Sequence, residues 1–168
     1  PSALQAATQA RQLATAAGVK TALSFSDPGM VEFFRDGMLS ILGDEGVDLL
    51  FCNEAEALTW AGSEDLAAAV EALKLVARSF AITLGARGAL LYDGEQLLEI
   101  APHATEAVDT NGAGDMFAGA FLYAITHGHD YATAGSFASL AAARVVSRFG
   151  PRLSASEHDA LLKEFFGS

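Results

Sequence analysis

The residues best suited to chemistry lie in one short segment, Asp109-Thr110-Asn111-Gly112-Ala113-Gly114-Asp115, which runs directly into the apolar stretch 116–125. Glycines let a backbone come close to a ligand. The unbonded N–H groups at a helix start, with the positive end of the helix dipole, form a site for an anion. Asp115, in the first turn of such a helix, can accept a proton from a hydroxyl held against that site, so the chemistry on offer is proton abstraction beside a stabilised negative charge. A plainer reading stands next to it: Gly112 and Gly114 make a tight loop and Asp115 caps a helix. The segment lacks the Lys and Ser/Thr of a Walker A loop and the third glycine of a dinucleotide fingerprint. A Gly-x-Gly-Asp pattern also occurs in intramembrane aspartyl proteases, but the stretch 116–125 is only about half of the roughly twenty apolar residues that cross a bilayer.

Elements that would hold this segment follow from the apolar periodicity. Residues 2–17 read as a helix stopped by Gly18, and 20–26 as a strand. Asp27-Pro28-Gly29 is a turn whose Asp can cap a helix over 30–42. Residues 47–52 form a nearly continuous apolar run, as expected of a strand buried on both faces of a parallel sheet, and Asn53 opens a helix at its carboxyl end. A helix over 66–78 starts after Ser63 and Asp65, and a strand over 80–84 ends at Gly85. Residues 88–92 and 96–100, joined through Asp93-Gly94, read as a hairpin on the sheet edge. From Gly112 the pattern is helical, near 112–127, 130–148 and 154–166. Strands alternating with helices predict a single three-layer α/β domain over 1–168 with a mostly parallel sheet.

Composition narrows the partners. A net charge of −11, with ten basic residues scattered among twenty-one acidic ones, argues against nucleic acid, which is bound through clustered Lys and Arg. Cys52 is the only cysteine, so the chain forms no internal disulfide, which fits a reducing, cytoplasmic setting. No apolar stretch is long enough for a membrane span, and the chain opens on a polar helix rather than a signal peptide. His103, His127, His129 and His158 lack metal-site spacing and are expected on the surface or in loops. The sequence starts without Met in the middle of an α/β pattern, so further residues are expected upstream.

The stretch Asp109-Thr110-Asn111-Gly112-Ala113-Gly114-Asp115-Met116-Phe117-Ala118-Gly119-Ala120-Phe121 resembles the C-terminal signature of the ribokinase-like, or PfkB, carbohydrate and nucleoside kinase family. The resemblance implies that Gly112, Ala113 and Gly114 line an anion hole for the transferred phosphoryl group and that Asp115 is the catalytic base. Asn53-Glu54-Ala55-Glu56 is similar to the family's Asn-x-x-Glu motif, which implies that Asn53 and Glu56 organise Mg²⁺ and its waters. An Asn and a Glu one turn apart suit that work, because Mg²⁺ favours oxygen ligands and keeps much of its water shell. Read alone, they are an N-cap and a solvated acid. Thr83-Leu84-Gly85-Ala86-Arg87-Gly88 resembles the Thr-x-Gly-x-x-Gly loop that borders the ATP phosphates. Thr83, Gly85, Arg87, Gly88 and Asn111 are therefore the expected nucleotide-binding residues, with a plain strand-turn-strand connection as the alternative for Arg87. Asp109 is an expected ligand for K⁺, with a second loop near 147–152.

The resemblance covers nearly the whole chain but corresponds to the C-terminal half of a family member. It implies a ribokinase-like fold whose substrate lid is missing, Mg-ATP as phosphoryl donor, a sugar or nucleoside as acceptor, and weak or no activity for these residues by themselves. A homodimer is among the expected assemblies. The Asp-Thr-Asn form of the signature and Phe149-Gly150-Pro151-Arg152-Leu153 are most similar to bacterial adenosine-kinase-like proteins and general sugar kinases. A noncatalytic nucleotide-binding module, and a structural half that pairs with a second chain, stay open as alternatives.

Overall fold

The structure is a computed structural model that describes residues 2–167. Its elements run α1 (Ser2–Ala16), β1 (Ala22–Ser24), α2 (Pro28–Phe33), α3 (Arg35–Leu42), β2 (Val47–Asn53), α4 (Glu54–Ala61), α5 (Leu66–Lys74), β3 (Ala77–Thr83), a 3₁₀ turn (Gly85–Arg87), β4 (Ala89–Tyr92), β5 (Leu97–Ile100), α6 (Ala113–Thr126), α7 (Tyr131–Val146) and α8 (Ala155–Phe166). The strands form one sheet in the order β1-β2-β3-β4-β5. β1, β2 and β3 are parallel, with Leu23 opposite Leu50 and Leu50 opposite Phe80. This is the α/β architecture expected from the alternating pattern.

The described residues divide into two compact units, one built from residues up to Thr83 with Tyr92–Leu97, the other from Leu84–Leu91 with residues from Leu98 onward. In the first unit β2 buries consecutive residues, Leu49, Leu50, Phe51 and Cys52, and β3 buries Ser79, Phe80, Ala81 and Ile82. Alternation would leave every second side chain in water; burial of neighbours means that both faces are covered, which is why these strands read as unbroken apolar runs. Phe25 packs on Trp60 at a ring separation of 5.0 Å, and the Arg35 guanidinium lies 4.2 Å from the Trp60 ring centre while donating 2.7 Å to its carbonyl. Asp27 caps α2 and Asp65 caps α5.

The second unit is organised by the α6–α7 pair. Phe121 is fully buried and meets Tyr131 edge-on at 5.1 Å, and Phe137 packs against Phe165 and Phe166 of α8. α7 also comes close to β4 and β5: a Cβ on Gly135 would lie 2.6 Å from Leu91 and 2.8 Å from Ile100.

Three element boundaries differ from the sequence expectation. The helix expected over 30–42 is two helices, broken at Phe34, whose φ of −121° leaves helical geometry although the apolar period continues across it. The helix expected to reach 78 ends at Lys74, and Ala77, Arg78 and Ser79 belong to β3. Pairing with β2 decides this: Val47 stands opposite Ala77 and Leu49 opposite Ser79, and the Ser79 hydroxyl donates 2.6 Å to the Asp48 carbonyl. β1 is shorter than 20–26, although the Phe25 amide still donates to the Phe51 carbonyl at 3.0 Å.

Leu50 is fully buried in the middle of β2. Leu50→Ala should therefore cost about 2–5 kcal/mol, read as a lower urea midpoint with an unchanged m value.

Candidate active site

The segment that opens α6 is held by its own backbone. The Asp109 carboxylate accepts the Asn111 amide at 3.0 Å through Oδ1 and the Gly150 amide at 3.1 Å through Oδ2. These two hydrogen bonds, the Asn111 one first, hold the Asp109 carboxyl below the usual carboxylate range. The amides of Val108 and Asp109 both donate to the Val146 carbonyl, at 2.9 and 3.2 Å, so the approach to α6 is fastened to the end of α7.

Gly112 is the N-cap of α6 and adopts the left-handed conformation, φ 77° and ψ 2°. A side chain there is barred twice, by the positive φ and because its Cβ would stand 2.6 Å from Pro151. A glycine N-cap carries no side-chain acceptor, and none caps this helix. The amides of Gly114 and Asp115 lie in the first turn, where no helical carbonyl sits four residues earlier to receive them. Space beside Gly114 is open: apart from its chain neighbours and the backbone of its own helix, no atom lies within 4 Å of the place its Cβ would take. The result is a small N–H cradle at the positive end of a fourteen-residue helix, which suits a phosphate-sized anion.

Asp115 is exposed three residues into α6. The capping alternative is therefore not met: the cap is Gly112, and the Asp115 carboxylate stands beside the cradle rather than closing it. It borders a cavity of about 510 Å³ whose walls include Met116, Tyr123, Phe137, Arg152 and His158. His158 lies on α8 and is exposed, in keeping with the surface position expected for it. Sequence reasoning singled out this helix start and set a loop near 147–152 beside Asp109, but did not foresee that Pro151 stands against Gly112. A Gly-Pro pair after a helix reads as punctuation, and only the fold brings it against Gly112.

The loop after β3 is a tight 3₁₀ turn in which the Leu84 amide donates to the Gly88 carbonyl at 2.8 Å and Gly88 donates to Gly85 at 3.1 Å. Gly88, at φ 90°, has the Ile100 carbonyl 2.0 Å from where a Cβ would stand, so the close approach of the chain after β5 already demands glycine there. Gly85 faces open space, and Arg87 is exposed on the turn. Gly85, Arg87 and Gly88 belong to the same unit as the α6 cradle; Thr83 ends β3 in the other.

Asn53 and Glu56, in the first unit, are locked to each other. The Asn53 side chain accepts the Glu56 amide, while Glu56 Oε2 accepts the Asn53 amide and Oε1 accepts its Nδ2, each at 2.9 Å. Asn53 is an N-cap as its residue type suggests, but Glu56 is not a solvated acid, being 3% exposed. Burial pushes its carboxyl up; the Asn53 amide opposes this, and the charge of Asp27 adds to it. Asp27 reads in sequence only as a helix cap, so its influence on Glu56 has no local signal. An oxygen pair held in one orientation suits the water shell of Mg²⁺. Among the described residues no group of three or more His, Cys, Asp or Glu is placed to hold a metal directly.

The family model for pfkB carbohydrate kinases matches residues 1–158. The chain belongs to the pfkB family of carbohydrate kinases. It is 33% identical over 129 residues to an uncharacterized sugar kinase of Archaeoglobus fulgidus, covering 75% of this chain and 50% of that one. Among solved structures, adenosine kinase from Sinorhizobium meliloti superposes with a TM-score of 0.87 at 32% identity, covering 95% of this chain and 49% of the other. Arabidopsis thaliana ribokinase, complexed with ribose and ATP, superposes with a TM-score of 0.75 at 25% identity, covering 95% and 53%. The fold is thus ribokinase-like, and the chain spans about half the length of these pfkB-family kinases.

The Asp109 geometry yields a pH dependence. Its folded carboxyl titrates below the unfolded one, near 3.9, so its stabilisation is complete above the unfolded value and is lost as pH falls through the folded one. Asp109→Asn should lower the urea midpoint at neutral pH, and the gap to the unaltered chain should close in acid; a gap independent of pH contradicts this role.

Proposed function

We propose that this chain is the nucleotide-binding and catalytic portion, the C-terminal half, of a kinase that transfers the γ-phosphoryl group of ATP to a hydroxyl of a sugar or nucleoside. The observation that carries the reading is the pairing of an uncapped N–H cradle at the head of α6 with the exposed carboxylate of Asp115 in the same turn. Membership in the pfkB family and the ribose- and ATP-bound relative support it.

In this reading Asp115 is the base: its carboxylate takes the proton of the acceptor hydroxyl as the oxygen attacks phosphorus. The amides of Gly114 and Asp115, aimed by Gly112 and Ala113, hold the phosphoryl oxygens as their charge shifts towards the leaving ADP. Asn111, Thr83, Gly85, Arg87 and Gly88 bind the nucleotide. Asn53 and Glu56 orient waters around Mg²⁺, which when bound neutralises phosphate charge. Asp109 is the proposed K⁺ ligand; its oxygens already accept amide hydrogens yet keep lone pairs that a monovalent cation can share. A cytoplasmic setting belongs to the same reading, supported by the single cysteine and the use of ATP; among the described residues no helix is long and apolar enough to cross a membrane. Because the chain spans about half of its relatives, it is proposed to be weakly active or inactive by itself.

The test is ADP release from Mg-ATP with adenosine, ribose and fructose as acceptors, in the longest chain that contains these residues. Acceptor-dependent release should fall by about 10²–10⁴-fold in Asp115→Asn, and residues 1–168 alone should turn over far more slowly than the longer chain. Acceptor-independent release, or an Asp115→Asn variant that keeps full turnover, favours a noncatalytic nucleotide-binding module instead.

A further inference from the structure

The turn between α7 and α8 is tied down from several sides although most of it is exposed. Leu153 is buried at its far end, and Arg148 pairs with Glu157 across it. The Gly150 amide donates to Asp109 Oδ2 at 3.1 Å, and Asp109 Oδ1 in turn holds the Asn111 amide. Pro151 fills the space where a Gly112 side chain would be, its Cβ and carbonyl oxygen each 2.6 Å from that position and its Cα 2.9 Å. Gly112 is the residue whose left-handed conformation aims the first amides of α6.

We propose that Pro151 is a positioning residue for the phosphoryl cradle: it acts as a rigid strut that keeps Gly112 in the one backbone conformation presenting the Gly114 and Asp115 amides to the anion. A proline suits this place because its ring locks its own φ and it offers no N–H that would compete for the anion or for the Asp109 carboxylate. Pro151 is itself exposed, so its side chain contributes little to the core, and the contact with Gly112 is what its substitution alters. The Asp109–Gly150 hydrogen bond sets the height of the strut, since it fixes the residue immediately before Pro151. The proposal rests on the kinase reading above.

Two substitutions separate the strut from general stability. Pro151→Ala keeps the Cβ and carbonyl that face Gly112, whereas Pro151→Gly removes the Cβ and frees the backbone. In the longest chain containing these residues, calorimetric titration with Mg-ADP alone and with Mg-ADP plus aluminium fluoride, a mimic of the phosphoryl group in flight, reads the cradle without requiring turnover. Pro151→Gly should leave Mg-ADP affinity within about twofold yet weaken the fluoroaluminate complex about tenfold, with a comparable fall in kcat, and Pro151→Ala, which keeps the Cβ but loses the ring lock and gains an N–H, should show a smaller selective loss of about threefold. The proposal is overturned if Pro151→Gly weakens both complexes equally, or lowers the melting temperature while leaving the fluoroaluminate affinity unchanged. If the unaltered chain binds neither form, the kinase reading itself fails and the strut with it, an outcome distinct from selective loss in the variant.

Discussion

The proposed chemistry depends on the first amide hydrogens of α6, which among the described residues no N-cap side chain receives. A helix start ordinarily hides such groups with a Ser, Asp or Asn cap, and the side chains of Asn53, Asp65 and Asp130 do this for α4, α5 and α7. α6 lacks this: its cap is Gly112, which offers no side chain, and Gly114 beyond it is exposed. α3 also starts without a side-chain cap; what sets α6 apart is the exposed carboxylate of Asp115 in the same uncapped turn, where in the proposed reading a ligand receives the donors.

Keeping such a site open requires that the backbone be held by other means. Asp109 gathers the Asn111 and Gly150 amides, Val146 receives Val108 and Asp109, and Pro151 stands against Gly112. The carboxylate of Asp109 thus belongs to the scaffold as well as to the proposed cation site, whereas that of Asp115 stays in solvent beside the cradle. Two aspartates six residues apart serve different ends because each oxygen of Asp109 accepts a backbone amide while Asp115 stays exposed. Glu56 shows the same principle in the first unit, where burial and the two donors of Asn53 fix a carboxylate that in sequence resembles an ordinary surface acid.

Much of this was legible in the sequence because it is local. The glycines of 112–114 lie within one turn and run directly into an apolar helix, and the unbroken apolar residues of β2 report a strand covered on both faces without reference to any partner. The illegible part is long-range. Ala77 and Ser79 belong to β3 because β2 pairs with them, against a helical pattern that runs on to 78. The Gly112–Pro151 contact and the Asp109–Gly150 bond join residues some forty positions apart, and no periodicity encodes them. The break at Phe34 is likewise invisible, since the apolar period is the same on either side of it.

The central claim is that phosphorus moves from ATP to a hydroxyl rather than to water. The most direct measurement is ³¹P NMR of Mg-ATP incubated with the longest chain containing these residues and with adenosine or ribose. The account predicts a phosphomonoester resonance that grows with ADP only when an acceptor is present. Growth of inorganic phosphate alone, or an unchanged ATP spectrum with every acceptor, would contradict it.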